Sequence, residues 1–281
     1  MGESGAMPSA SSAAPSESWP WPPAIRASAA WHVAAIGAGV LVPGAIPWAI
    51  GAIVLNHALI TGAGLAPRSS LLGPNVTRLP EAAGARRQVA ITIDDGPDPE
   101  VTPRVLDLLD AHGQRATFFC IAERVLAHPA LAREIVARGH SIQNHTARHR
   151  HNFSFLGPRG FASEIARAQD ILAEATGQRP TCFRAPAGLR NPFLEPVLHR
   201  LGLSLVSWTR RGFDTREGDP AKVMARLGRK LRARDILLLH DGNAARTPGG
   251  NPVLVEVLPL LFERLRADGL RAVTLPEGLE S

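Results

Sequence analysis

At 281 residues, 45% of them hydrophobic, the chain is long enough for one domain with a large core plus an appendage, and too apolar to be disordered throughout. Its net charge of +6 and pI near 10.7 do not mark a nucleic-acid binder, because the arginines are scattered among apolar helical positions, as in Leu227-Gly228-Arg229-Lys230-Leu231-Arg232. The two cysteines, Cys120 and Cys182, sit inside apolar runs and read as small buried hydrophobes, so nothing asks for a disulfide.

Residues 1–24 are rich in Ser, Ala, Pro and Gly and read as a disordered tail that ends in Trp19-Pro20-Trp21-Pro22-Pro23, two rings suited to a membrane interface. From Ala27 to Ala66 there is no charged residue. That run is about twice the roughly 20 residues one span needs. Pro43-Gly44-Ala45-Ile46-Pro47 supplies a turn in its middle, so residues 25–66 are expected to form a membrane hairpin of two helices, about 25–42 and 47–65. Asn56 and His57 are polar for such a place and are expected to hydrogen-bond across the hairpin. Residues 67–84 read as a linker. Arg68 and Arg78, with Arg86 and Arg87 just beyond, give the flank a positive charge that favours the cytoplasmic face of the inner membrane.

A single domain is expected over 85–281, where short apolar runs alternate with helix-length amphipathic segments. The series runs Val89–Ile93, Glu100–His112; Ala116–Ile121, 123–138; Ser141–Asn144, Phe161–Ala175; Thr181–Phe183, Pro192–Leu201. It continues with Leu203–Ser207, Pro220–Arg232; Ile236–Leu239, Val253–Ala267; and Leu270–Thr274. About seven strands alternating with helices imply a parallel sheet, closed as a (β/α) barrel or doubly wound.

The unusual polar residues all follow a strand: Asp94-Asp95-Gly96-Pro97, His145 to His149, Arg184 to Gly188, Trp208 to Asp214, and His240-Asp241-Gly242. In a parallel barrel those loops share one face, where active sites form. Side chains of adjacent residues diverge at a strand end, so Asp94 and Asp95 can divide the work, one holding a cation and the other handling a proton. His145 and His149, four apart, would put two imidazoles on one side of a helical turn. With Asp95 they make a set of two nitrogens and a carboxylate that leaves a coordination position open, as in catalytic zinc sites. His151 reads as a plain loop residue.

Thr92-Ile93-Asp94-Asp95-Gly96-Pro97, His145-Thr146-x-x-His149, Arg184-x-Pro186 and Leu237-Leu238-Leu239-His240 together resemble the ordered motifs of the polysaccharide deacetylase family, the NodB-homology or carbohydrate esterase family 4 domain. The resemblance covers about residues 85–281 and implies a distorted (β/α) barrel that removes N-acetyl groups from amino sugars with a divalent metal, zinc first, with Co2+, Ni2+ or Mn2+ as alternatives. It implies Asp94 as general base, Asp95, His145 and His149 as metal ligands, His240 as general acid, Arg184 orienting Asp94, and Asp214 supporting His240. It also sets Pro186, Ala187, Trp208 and Leu238 against the substrate, Trp208 either lining an acetyl pocket or filling core. Two departures concern the sugar-gripping wall: Ala187 stands where the family commonly has an aromatic, and Trp208 precedes Asp214 rather than following it. The implied activity is deacylation of an N-acetylated glycan. A lipid-linked sugar deformylase or deacetylase, or a non-catalytic glycan-binding membrane protein, are the alternatives.

Overall fold

The computed structural model describes residues 19–280, so most of the expected disordered tail lies outside the described residues. Two antiparallel helices come first, α1 (Pro23–Leu41) and α2 (Ile46–Leu65), joined by the Pro43–Ala45 turn. Both are long and apolar enough to cross a membrane, and most of their residues, including Val40, Trp48, Val54 and Leu59, are exposed on the protein surface. Their polar groups meet one another. Asn56 Nδ2 donates to Ser28 Oγ (2.8 Å), Trp31 Nε1 donates to Ala52 O (2.9 Å), and the Nε2 atoms of His32 and His57 lie 3.3 Å apart.

After a short helix α3 (Glu81–Ala85), the chain runs β1 (Gln88–Asp94), α4 (Thr102–Ala111), β2 (Ala116–Cys120), α5 (Ala122–Ala127), α6 (Pro129–Ala137), β3 (Ser141–Asn144), α7 (Pro158–Thr176), β4 (Cys182–Phe183) and α8 (Leu194–Arg200). It finishes with β5 (Ser204–Leu205), β6 (Arg210–Arg211), α9 (Pro220–Gly228), β7 (Ile236–His240), α10 (Val253–Ala267), β8 (Arg271–Val273) and α11 (Leu275–Leu279). All strand pairs are parallel, in the order β5-β4-β3-β2-β1-β7-β6, with β8 beside the first half of β1. The expected distorted barrel forms, with one strand more than the expected seven. The addition, β6, is two residues long, too short to show a periodicity. The expected helix over 123–138 is two helices, because the residue before Pro129 cannot stay helical and His128 turns out at φ −132°, ψ 58°.

Both faces of β1 are buried, and its side chains alternate between two cores. Val89, Ile91 and Ile93 point outward into the layer filled by Val105, Leu109, Val257 and Leu261 of α4 and α10. Ala90 points inward with Phe119, Cys182, Val206, Ile236 and Leu238, filling the lumen. β5 and β6 do not pair with each other. The gap between them is bridged by the segment expected to be a linker: Val76 pairs with Val206, Arg78 with Asp235, and Thr77 O accepts from Thr209 Oγ1 (3.0 Å). Leu72, Leu79 and Ala83 of this stretch are buried, so residues 72–83 are a wall of the barrel. The Pro and Gly content around residues 74–80 disguised an extended segment at an open sheet edge, where proline is tolerated.

Candidate active site

The period-two alternation that fills the lumen also builds the site. Ala90 and Thr92 point inward on β1, and Asp94 ends the same row. Ile236 and Leu238 lead to His240 on β7, Cys182 leads to Arg184 after β4, and Gln143 leads to His145 after β3. Four reactive side chains thus emerge at the carboxyl ends of neighbouring strands. Asp95 would point to the outer layer by this alternation. Its left-handed backbone (φ 75°) turns it back toward the same cleft.

Thr146 (φ 71°), His149 (φ 51°) and Ala187 (φ 54°) share that backbone region, which costs a non-glycine residue about 1–3 kcal/mol. Local hydrogen bonds hold the His145–His149 stretch: Asn144 Oδ1 accepts from Thr146 N (2.9 Å) and Thr146 Oγ1 accepts from His149 N (2.8 Å). The two histidines therefore converge through a folded loop and not on the helical turn expected from their spacing.

Arg184, fully buried, reaches down the lumen. Its guanidinium donates to Asp94 Oδ1 (2.6 Å), Thr92 Oγ1 (2.8 Å), Val206 O (3.2 Å) and Ser207 O (2.9 Å), and it lies 4.1 Å over the Phe119 ring. Asp94 is thereby pinned by one oxygen while Oδ2 lies 3.9 Å from His145 Nε2. On the far side, His240 Nδ1 donates to Asp214 Oδ1 (3.0 Å), and Asp214 Oδ2 accepts from the His240 backbone N–H (2.7 Å). A carboxylate can only accept, so the ring hydrogen sits on Nδ1 and Nε2 is left for the cleft.

Between these flanks lies the group that suits a metal. Asp95 Oδ1 is buried without a hydrogen-bond partner, and Nε2 of both His145 and His149 lies 3.2 Å from it. The three donor atoms fall within 4.8 Å of one another. His145 Nδ1 donates to Arg184 O (2.8 Å), which leaves its Nε2 lone pair for a cation. Asn243 Nδ2 donates to Asp95 Oδ2 (2.8 Å) and holds the carboxylate in place. An orphaned buried oxygen facing two imidazole nitrogens is a donor set that a divalent ion fits.

Electrostatics support the division. Burial raises the proton affinity of Asp95, but the rings of His145, His240 and His149 outweigh it and hold the carboxyl well below its usual range. Burial and the neighbouring His145 bring His149 down to about 4, so it is neutral near pH 7. Burial works against protonating His240, yet Asp214, with Asp94 and Asp95, raises it above the ordinary histidine value. Burial lifts Asp241 to about 7; Thr102 Oγ1 donates to its Oδ2 (2.5 Å).

The cleft, of about 290 Å³, is lined by both aspartates, His145, His149, Ala187, Trp208, Leu238 and His240. Of the residues expected against a substrate, Pro186 alone is outside this lining; it is buried as the first residue of the short turn that carries Ala187. Trp208 both fills the lumen core and lines the cleft. His151, expected as a plain loop residue, lines the cleft too. So does Arg211, which stacks 4.9 Å over Phe213, whereas Arg210 pairs with the buried Asp235 (2.9 Å). Sequence reasoning missed Asn243. The Asp241-Gly242-Asn243 turn was its only signal, and Gly242 has no room for a side chain between Asp95 and Arg124.

A family model described as polysaccharide deacetylase matches residues 81–206. The chain is 32% identical over 206 residues to a peptidoglycan-N-acetylglucosamine deacetylase of Bacillus cereus, a match spanning 71% of this chain and 91% of that relative. It is 35% identical over 157 residues to a chitooligosaccharide deacetylase of Bradyrhizobium sp., spanning 56% of this chain and 71% of the relative. Among solved structures, the Bc1960 peptidoglycan N-acetylglucosamine deacetylase aligns with a TM-score of 0.66 at 27% identity, over 74% of this chain and 93% of that one.

Proposed function

The chain belongs to the polysaccharide deacetylase family, and from that premise we propose that it hydrolyses the N-acetyl amide of an amino-sugar glycan between Asp94 and His240. One observation carries this reading: a pinned carboxylate and an imidazole with an available Nε2 flank a three-donor group in which Asp95 and His145 are buried and His149 is half-buried. Asp95, His145 and His149 would hold a divalent metal, zinc before cobalt, nickel or manganese. When bound, such an ion polarises the amide carbonyl and makes water more acidic.

Asp94 takes the proton of the attacking water through Oδ2, since Arg184 occupies Oδ1. The new C–O bond turns the carbonyl tetrahedral, and the backbone N–H near Ala187 supports its oxygen. His240 then gives a proton to the departing nitrogen as the C–N bond breaks, releasing acetate and the amino sugar. General acids of this kind typically contribute about 10²–10⁴-fold. Asp214 keeps the His240 ring oriented and favours its protonated form. Trp208 and Ala187 would contact the acyl group and the sugar, and Leu238 would floor the pocket.

We place the barrel on the cytoplasmic face of the inner membrane. Arg26 and Arg68 flank the two apolar helices at the barrel end, while the Pro43–Pro47 turn carries no charge.

The test is acetate release from chitooligosaccharides and peptidoglycan strands by the metal-loaded full chain. Wild type should release acetate, and Asp94→Asn should keep its metal and release none. A metal-loaded wild type that frees no acyl group from either of these or from a lipid-linked amino sugar overturns the proposal and leaves a glycan-binding barrel.

A further inference from the structure

The barrel-proximal end of the hairpin is built into the wall of the cleft. Gly64, in the last turn of α2, accepts from the Arg190 backbone N–H (3.1 Å), and Ser207 Oγ donates to Pro67 O (2.6 Å). Pro67 packs so closely on Gly188 that a Cβ there would lie 2.6 Å from the proline Cβ, and Gly188 itself lines the cleft. Just before α1, Trp19 lies against His199 with ring centroids 5.4 Å apart and the rings tilted by 55°. Both chain ends of the hairpin thus meet the barrel, and its turn points away.

Around this junction the barrel exposes large apolar side chains. Phe155, after β3, is 86% exposed, and Phe193, after β4, is 54% exposed; Leu65 and Leu71 are exposed beside them. The loops that carry them are tied to each other through their backbones. Asn191 Nδ2 donates to Ser154 O and Leu156 O (2.9 Å each), and Asn191 Oδ1 accepts from Phe193 N (2.9 Å), so one residue ties the two loops together. A cleft of about 230 Å³ opens between α2 and these loops, lined by Ile60, Leu65, Phe155 and Pro192 among others. Solvent-facing aromatics on two mutually bonded loops form a patch that an isolated soluble domain rarely carries.

We propose that Phe155 and Phe193 enter the lipid interface beside the hairpin, so that the rim of the active-site cleft rests on the bilayer surface. Continuity selects a bilayer as the occupant: the patch adjoins the last turn of a helix long and apolar enough to span. Trp21 and the arginines 26 and 68 lie at the same barrel-proximal ends of the hairpin, and aromatic rings and arginines are the residues that settle at headgroups. Resting on the proposed deacetylase reading, this makes the substrate a glycan held at the membrane, such as one on a lipid carrier, in preference to a freely diffusing polymer.

The test needs no catalysis, so its failure is separate from that of the deacetylase reading. Cys120 and Cys182 are both buried, so single cysteines placed at Phe155→Cys, Phe193→Cys and, as a control on α4, Asp107→Cys can be labelled with an environment-sensitive fluorophore. The full chain is placed in nanodiscs of phosphatidylethanolamine and phosphatidylglycerol carrying a lipid spin-labelled near the headgroup. Labels at 155 and 193 should shift to the blue and be quenched by the spin label, and the label at 107 should do neither. Labels at 155 and 193 as wet and as unquenched as the one at 107, with or without insertion of the hairpin, overturn the proposal.

Discussion

Two histidine pairs in this molecule have opposite fates. In the hairpin, His32 and His57 face each other with ring centroids 5.1 Å apart; His32 Nδ1 donates to Ser28 O, and Asn56 closes the group on Ser28 Oγ. In the barrel, His145 and His149 have centroids 4.8 Å apart, but both turn Nε2 toward a buried carboxylate oxygen that has no hydrogen-bond partner. The first group satisfies itself and locks two helices. The second is held open by Arg184 O, Thr146 and Asn243, all from outside the group. What separates a structural polar cluster from a site is the unsatisfied atom, not the residue types.

The largest expected effect breaks the open pair. His145→Ala or Asp95→Ala should abolish metal binding, measured by metal analysis after dialysis, together with acetate release. His57→Ala should leave both intact with a soluble oligosaccharide. Next, His240→Asn should lower kcat by about 10²–10⁴-fold while metal content holds.

The same residue predicts a pH dependence. Burial disfavours His240 protonation, but Asp214 raises it above the ordinary value, and a general acid must hold its proton. The rate should therefore fall as pH rises through that raised value, and Asp214→Asn should move the falling limb to lower pH.

A smaller effect tests how the open pair is kept open. Asn243→Ala should weaken metal affinity about 10–100-fold in a chelator competition without unfolding the chain. The smallest belongs to the closed pair. Asn56→Ala should cost the hairpin about 0.6 kcal/mol, the average for an interhelical hydrogen bond in a membrane, read from unfolding in detergent.

Much of this was legible because the alternation of strand and helix is strong. The expected helix over Val253–Ala267 is α10 to the residue, and the site residues fall at strand ends where a parallel barrel must bring them together. The parts that escaped notice lack a period. Arg210–Arg211 is two residues of strand, and the extended part of the wall over 74–80 is masked by prolines and glycines. Asn243 acts through a turn whose shape depends on Asp95 and Arg124, both distant in sequence. The spacing of His145 and His149 suggested a helix, where side-chain-to-backbone hydrogen bonds fold a left-handed loop instead.

X-ray absorption at the zinc edge of the loaded full chain probes the convergence of Asp95, His145 and His149 most directly. Scattering from two imidazole rings with nitrogens at about 2.0–2.1 Å, reduced to one in His149→Ala, is the predicted spectrum. A first shell without imidazole, or one unchanged by that substitution, would contradict it.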